Sequence, residues 1–340
     1  MIHFRNDYSA GAHPAVLEAL VRTNGELTPG YGGDPYCRAA ADTIRTLCAA
    51  PKADVHFLVG GTQVNKTALG AFLRPYEAVI AADTAHICVH ETGAIEQNGH
   101  KVIHCPSQDG KVTPEVVRMV WADHSTEHMV VPRLVYVSNT TEVGTVYTRG
   151  ELECLAETCR ELDLYLYCDG ARLGSAMDAG DTSFADYAAL CDAFTIGGTK
   201  NGLLFGEALV ITRQSLQPGF RHCMKQQGAV LAKGRLLGVQ YSAILEGNLY
   251  QSLAAHANRL AHRLTEGLKE LGVSLLVESP SNQVFPILPA AVVEALAEEF
   301  TFEVQRKLEQ NQVCVRFVTA WCSTQEDVES LLTRLEALLA

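Results

Sequence analysis

No uninterrupted apolar run in this 340-residue chain approaches the roughly 20 residues a membrane-spanning helix requires, so a soluble protein is expected. Basic tracts are missing as well. With 27 Lys and Arg against 39 Asp and Glu, the formal net charge is -12 and the pI near 5.5, which argues against nucleic acid as a partner. The eleven cysteines are scattered, with no Cys-x-x-Cys spacing and no leader-like pattern ahead of them. They read as reduced core thiols in a cytoplasm rather than a disulfide framework. Internal repeats, low-complexity tracts and a complete Gly-x-Gly-x-x-Gly are absent too. His86 and His90 stand at i, i+4, but no third ligand motif joins them, and no metal site is expected. What is left is a globular chain long enough for about two domains, able to hold a small anionic ligand with a few local cations.

From about residue 55 to 212, short β-rich runs (55–59, 78–82, 134–138, 164–169, 193–197 and 208–212) alternate with helical patterns. Such alternation implies right-handed crossovers and a mostly parallel sheet, with ligands at its carboxyl edge. A long helical segment is expected over 228–271, followed by a compact α+β unit. That unit should contain strands near 273–277, 284–288 and 313–318 and helices near 290–309 and 325–339. The expected division is a large domain over 1–245 and a small one over 246–340. The stretch Thr28-Pro29-Gly30-Tyr31-Gly32-Gly33-Asp34-Pro35 reads as a loop of defined shape.

Chemistry should sit just after those strands. Asp169-Gly170-Ala171-Arg172 and Gly197-Gly198-Thr199-Lys200-Asn201-Gly202 each follow a buried-looking strand. A lysine amine can condense with an aldehyde, and a carboxylate facing a pyridine nitrogen keeps it protonated and strengthens the ring as an electron sink. The pair is the equipment for pyridoxal phosphate. Asp169 could instead cap a helix or pair with Arg172, and Lys200 could be a solvated surface lysine, but its glycine-bounded turn speaks against that. Gly60-Gly61-Thr62 precedes a helix, where open amides and a hydroxyl suit a phosphate. Taken alone, the same tripeptide is more often a plain turn. His86 could lie over a pyridine face or act as a base. Arg316, between Val315 and Phe317 in a short strand, is an odd place for a cation unless it grips an anion.

Assembled, these pieces resemble the threonine aldolase branch of the fold-type-I pyridoxal phosphate enzymes over nearly the whole chain. The matching segments are Arg5-x-Asp7, Tyr31-Gly32-x-Asp34-Pro35, Gly61-Thr62, Asp83-x-x-His86-Ile87, Asn139-Thr140, Asp169-Gly170-Ala171-Arg172 and Lys200. The resemblance implies an aspartate aminotransferase-like α/β fold, with a mostly parallel seven-stranded sheet in the large domain and a small C-terminal α+β domain. It implies that Lys200 holds the cofactor, Asp169 meets its ring nitrogen, His86 stacks on the ring, and Gly60, Gly61 and Thr62 hold its phosphate. Arg172 and Arg316 would bind the substrate carboxylate, with Arg172 also near the cofactor. Tyr31 would approach from a neighbouring subunit, Lys225 would reach the adjoining subunit's phosphate, and His128 would be a second active-site histidine.

Some segments depart from the family pattern. Gly60 and Asn6 replace serines, Thr199-Lys200-Asn201 replaces Ser-Lys-Gly, and an alanine takes the place of a phosphate-binding arginine, for which Lys233 or Arg235 is a substitute. The implied activity is retro-aldol cleavage of a β-hydroxy-α-amino acid such as L-threonine or L-allo-threonine by a homodimer or homotetramer with shared sites. The alternatives are β-elimination, racemisation or transamination with the same cofactor, a non-catalytic cofactor-binding protein, or a nucleotide-binding domain.

Overall fold

The computed structural model describes all residues from Met1 to Ala340. Its strands, in chain order, are β1 (Ile2–His3), β2 (Asp54–Leu58), β3 (Glu77–Ala82), β4 (Val102–Cys105), β5 (Val131–Ser138), β6 (Tyr165–Asp169), β7 (Ala193–Gly197) and β8 (Glu207–Ile211). Then follow β9 (Gln283–Val284), β10 (Ile287–Pro289), β11 (Phe300–Thr301), β12 (Glu303–Lys307) and β13 (Gln312–Val318). The seven strands β2 to β8 form one sheet in the order β2-β8-β7-β6-β5-β3-β4, mostly parallel as expected. Only β8 is reversed, antiparallel to both its neighbours.

These strands are mostly apolar, with charged residues mainly at their ends, as sheets covered by helices on both faces require. Every residue of β3, β7 and β8 is buried. Around them a core of 57 buried residues forms, including Tyr136, Leu166, Phe194 and Leu209. A second core of 19 residues joins the small β9–β13 sheets, the helix Gln325–Leu339, and Leu260, Leu264 and Leu268 of the helix Leu249–Glu270. Phe4 belongs to that second core, because β1 pairs with β11 there.

The long helix expected over 228–271 is broken. It comprises Arg235–Ile244 and Leu249–Glu270, separated by a turn in which Gly247 and Asn248 take left-handed backbone angles. The helix expected near 290–309 is shorter, Ala290–Leu296, and β11 and β12 take the remainder. No strand forms over 273–277, where only Leu275 makes an isolated bridge to Pro286. The helix Gln325–Leu339 stands as expected, started by a capping box between Thr324 and Asp327.

Candidate active site

One reversed strand among seven has a simple geometric result. The carboxyl ends of β2, β3, β5, β6 and β7 and the amino end of β8 all lie on one edge, and the loops leaving that edge surround a cleft of about 410 Å³. Gly60, Gly61, Thr62, His86, Asp169, Arg172, Lys200 and Arg316 line it. The cleft also takes in Tyr8, His90, Ser138, Glu142, Glu207 and Glu303, which the sequence reading left out of the site.

Gly60 precedes the helix Gly61–Phe72 with extended backbone and no side-chain cap, so the first amides of the helix stay open. No atom lies within 4 Å of where a Cβ on Gly60 or Gly61 would sit, which leaves room for an anion against the backbone. Asp169, the last residue of β6, is 5% exposed. Its Oδ2 accepts from Tyr136 Oη at 2.6 Å and Asn65 Nδ2 at 2.8 Å, and its Oδ1 accepts from the Ala171 amide at 3.0 Å. Asn65 also donates to Glu91 Oε1 at 2.8 Å and accepts from Tyr167. Glu91 in turn holds His86 Nδ1 at 2.7 Å. A continuous chain thus links the imidazole at the cleft to the carboxylate at its floor. Burial opposes charge on His86, yet the Glu91 hydrogen bond and nearby Asp169 hold its pKa above the ordinary histidine value. The His86 backbone amide and the Ser138 hydroxyl both donate to Glu142 Oε1, at 2.9 and 2.7 Å. Burial, reinforced by Asp169, raises the Glu142 carboxyl.

Lys200 sits in the turn directly after β7. Burial, then Arg172, pushes its amine below the ordinary lysine range, against the pull of Asp7, Asp169 and Glu207. Arg172 is itself engaged: Nε and Nη2 donate to the two carboxylate oxygens of Asp7 at 2.6 and 3.0 Å. Asp7 is almost wholly buried and also accepts from Asn282. Burial works against its charge, but Arg172 and Lys200 outweigh that and hold its pKa low. Arg316 of β13 pairs with Glu303 of β12, its register partner, and its buried Nε has no partner. His90 lies beside His86, ring centroids 5.5 Å apart, and its pKa is lowered by burial, His86 and Arg316.

Five expected residues lie outside this cleft. His128 is exposed in the turn before β5, at the opposite edge of the sheet. The eight residues of β5, at about 3.3 Å each, set roughly 26 Å between that turn and the cleft, so His128 does not reach the site of its own chain. Tyr31 is half exposed on the 28–35 loop; its carbonyl accepts from Arg221 and its ring lies 4.9 Å from Lys225 Nζ. Lys233 is exposed nearby, next to Ala232, whose carbonyl accepts from the Tyr31 amide. Arg235 is occupied by the carbonyls of Thr23 and Glu26.

The residues present fit pyridoxal phosphate: an open helix start for the phosphate, a buried carboxylate for the ring nitrogen, and an amine with a depressed pKa. Architecture and cleft together define the class, a fold-type-I pyridoxal phosphate enzyme. Solved relatives of the same architecture include an aspartate aminotransferase variant from Thermus thermophilus, 18% identical with a TM-score of 0.74, covering 99% of this chain and 91% of that one. Residues 3–291 match the beta-eliminating lyase family, and the chain belongs to it and is a lyase. It is 35% identical to the low-specificity L-threonine aldolase of Pseudomonas aeruginosa, with 86% of each chain covered. It is 32% identical to that of Pseudomonas sp. strain NCIMB 10558, covering 99% of this chain and 98% of the other. A solved threonine aldolase from Leishmania major superposes over all of both chains at 44% identity and a TM-score of 0.99.

Proposed function

We propose that this protein cleaves β-hydroxy-α-amino acids, L-threonine or L-allo-threonine, to glycine and an aldehyde such as acetaldehyde. The observation that carries the reading is the convergence of Lys200, Asp169 and the free Nε of Arg316 on one cleft. Bound there, pyridoxal phosphate supplies a carbonyl for amines and a ring that takes up the electron pair released when the Cα–Cβ bond breaks.

The chain's own residues do the rest. Amides at the start of the helix Gly61–Phe72 and the Thr62 hydroxyl hold the phosphate, Asp169 faces the ring nitrogen, and His86 covers the ring. Arg316 would take the substrate carboxylate, and Arg172, fixed by Asp7, would frame it, the two cations orienting the substrate in the cleft. The substrate hydroxyl gives its proton to an imidazole at the cleft; His90, with its lowered pKa, is the free base there, and the charge-favouring His86 completes the pair. Lys200 Nζ, its pKa held below the ordinary lysine range, would hold the proton returned to Cα of glycine. The exposed cluster of Tyr31, Lys225 and Lys233 supports a homodimer or homotetramer in which a second copy's site is completed by these side chains. Eleven unpaired thiols support a cytoplasmic setting.

Product analysis tests the reaction. Threonine or allo-threonine should yield glycine and acetaldehyde in equal amounts, while pyruvate or 2-oxobutyrate would overturn the aldol reading. Lys200→Ala should lose both turnover and the borohydride-reducible visible band of the purified protein; retained turnover would remove the basis of the assignment.

A further inference from the structure

One carboxyl of the cleft joins two segments that carry its chemistry. Glu142 lies in the loop that follows β5, and it lines the cleft together with His86, Ser138 and Asp169. Its Oε1 accepts two hydrogen bonds, from the His86 backbone amide at 2.9 Å and from the Ser138 hydroxyl at 2.7 Å.

The two donors come from different parts of the chain. His86 opens the short helix His86–Val89, and the residue before it, Ala85, has no side chain able to accept that first amide. Glu142, 56 residues further along, supplies the acceptor that a local cap would have given. Ser138 ends β5, where it stands in register with Asp169 of β6. The Glu142 loop is itself held from β9, since Gln283 Nε2 donates to the Thr140 hydroxyl at 3.3 Å and to the Thr141 carbonyl at 3.2 Å.

His86 is therefore fixed twice. Its ring is tied through Glu91 and Asn65 to the Asp169 carboxylate, and its backbone is tied through Glu142 and Ser138 to the strand beside Asp169. The first tie orients the imidazole; the second sets where its Cα stands at the cleft. Without the second, the half-buried turn that bears His86 can shift, and a displacement of about an ångström at a reacting group can cost about a hundredfold in rate.

We propose that Glu142 is the positioning residue of His86, a carboxylate clamp that keeps the imidazole in a fixed place relative to the Asp169 carboxylate. This inference rests on the reading of His86 as the residue that covers the cofactor ring.

The test is a double-mutant cycle on the cofactor-loaded protein with two readouts. One is kcat for threonine cleavage. The other is the visible circular dichroism of bound pyridoxal phosphate, which reports how the ring is packed and needs no turnover. Glu142→Ala should lower kcat about tenfold or more and alter the dichroic band, with KM for threonine changed less than about twofold because neither guanidinium is touched. Glu142→Leu, which fills the volume without an acceptor, serves if the alanine variant folds poorly. Glu142→Gln keeps an acceptor oxygen and should restore most of both signals. In a His86→Ala background the amide remains but the imidazole is gone, so removing the Glu142 side chain there should change neither signal further. Losses that add in the double variant, a glutamine variant as impaired as the alanine one, or an unaltered dichroic band in Glu142→Ala would each overturn the proposal. A wild type that binds the cofactor but makes no glycine from threonine would sink the proposed reaction, and the dichroism cycle would still decide the role of Glu142.

Discussion

Arg172 and Asp7 are separated by 165 residues in sequence, yet two hydrogen bonds join them in a fork beside the cleft. Both residues stood out in the sequence, but nothing local announced that they would meet. Residues at strand ends were legible because a charged side chain following a buried strand has few structural uses. Their supporting partners were not. Asn65 lies inside a helix, Tyr136 inside a strand, and Glu91 past a histidine pair, where each looks like ordinary core or surface. Asp7→Asn should expose how much the fork matters. It removes the charge that fixes Arg172, and the KM for threonine should rise about tenfold or more while the cofactor absorbance persists. An unchanged KM would show that Arg172 needs no such anchor.

Elements were legible where hydrophobic pattern and packing agree. The six strands expected between 55 and 212 form within a few residues of their expected positions, and the helix Gln325–Leu339 carries its own start signal. Val102–Cys105 was missed because it is a four-residue edge strand, too short to stand out as an apolar run. The run Phe300-Thr301-Phe302-Glu303-Val304 alternates with a period of two, a strand pattern that the helical expectation for 290–309 overlooked. The break at 246–248 came from left-handed backbone that a leucine-rich periodicity cannot reveal. Backbones pack closely where the helices Pro35–Leu47 and Arg235–Ile244 cross. A Cβ on Gly238 would overlap the backbone of Tyr36 and Cys37. Gly238→Ala should therefore cost about 2 kcal/mol in urea unfolding by pushing the two helices apart. Wild-type stability in that variant would mean the helices can separate freely.

Across the whole molecule, acid should find a weak point in β2. The His56 side chain is largely covered there, its Nε2 makes no hydrogen bond and has Asp54 Oδ2 only at 3.8 Å, and burial, followed by Arg221 and Arg45, lowers its pKa to about 4. The unfolded chain, with an ordinary histidine near 6.5, binds the proton first, so stability is full above that value and falls as pH drops from about 6.5 to 4. The loss attributable to this one side chain approaches about 3 kcal/mol. His56→Leu should flatten the pH dependence of the denaturation midpoint over that window, and an unaltered slope would place the acid sensitivity elsewhere. The general architecture was legible at this scale from the order of strands and helices. The membership of Phe4 in the smaller core was not, since it depends on β1 returning to β11 across almost the entire chain.

That return stitch has a mechanical meaning. Ile2 and His3 are sewn to Phe300 and Thr301, the carbonyl of Phe4 receives the Val318 amide, and three residues later Asp7 grips Arg172. The strand that ends at Val318 also bears Arg316. One short tether therefore joins both guanidinium groups to the smaller body, and any tilt of that body would tug on the two together, like a drawstring closing the mouth of a purse.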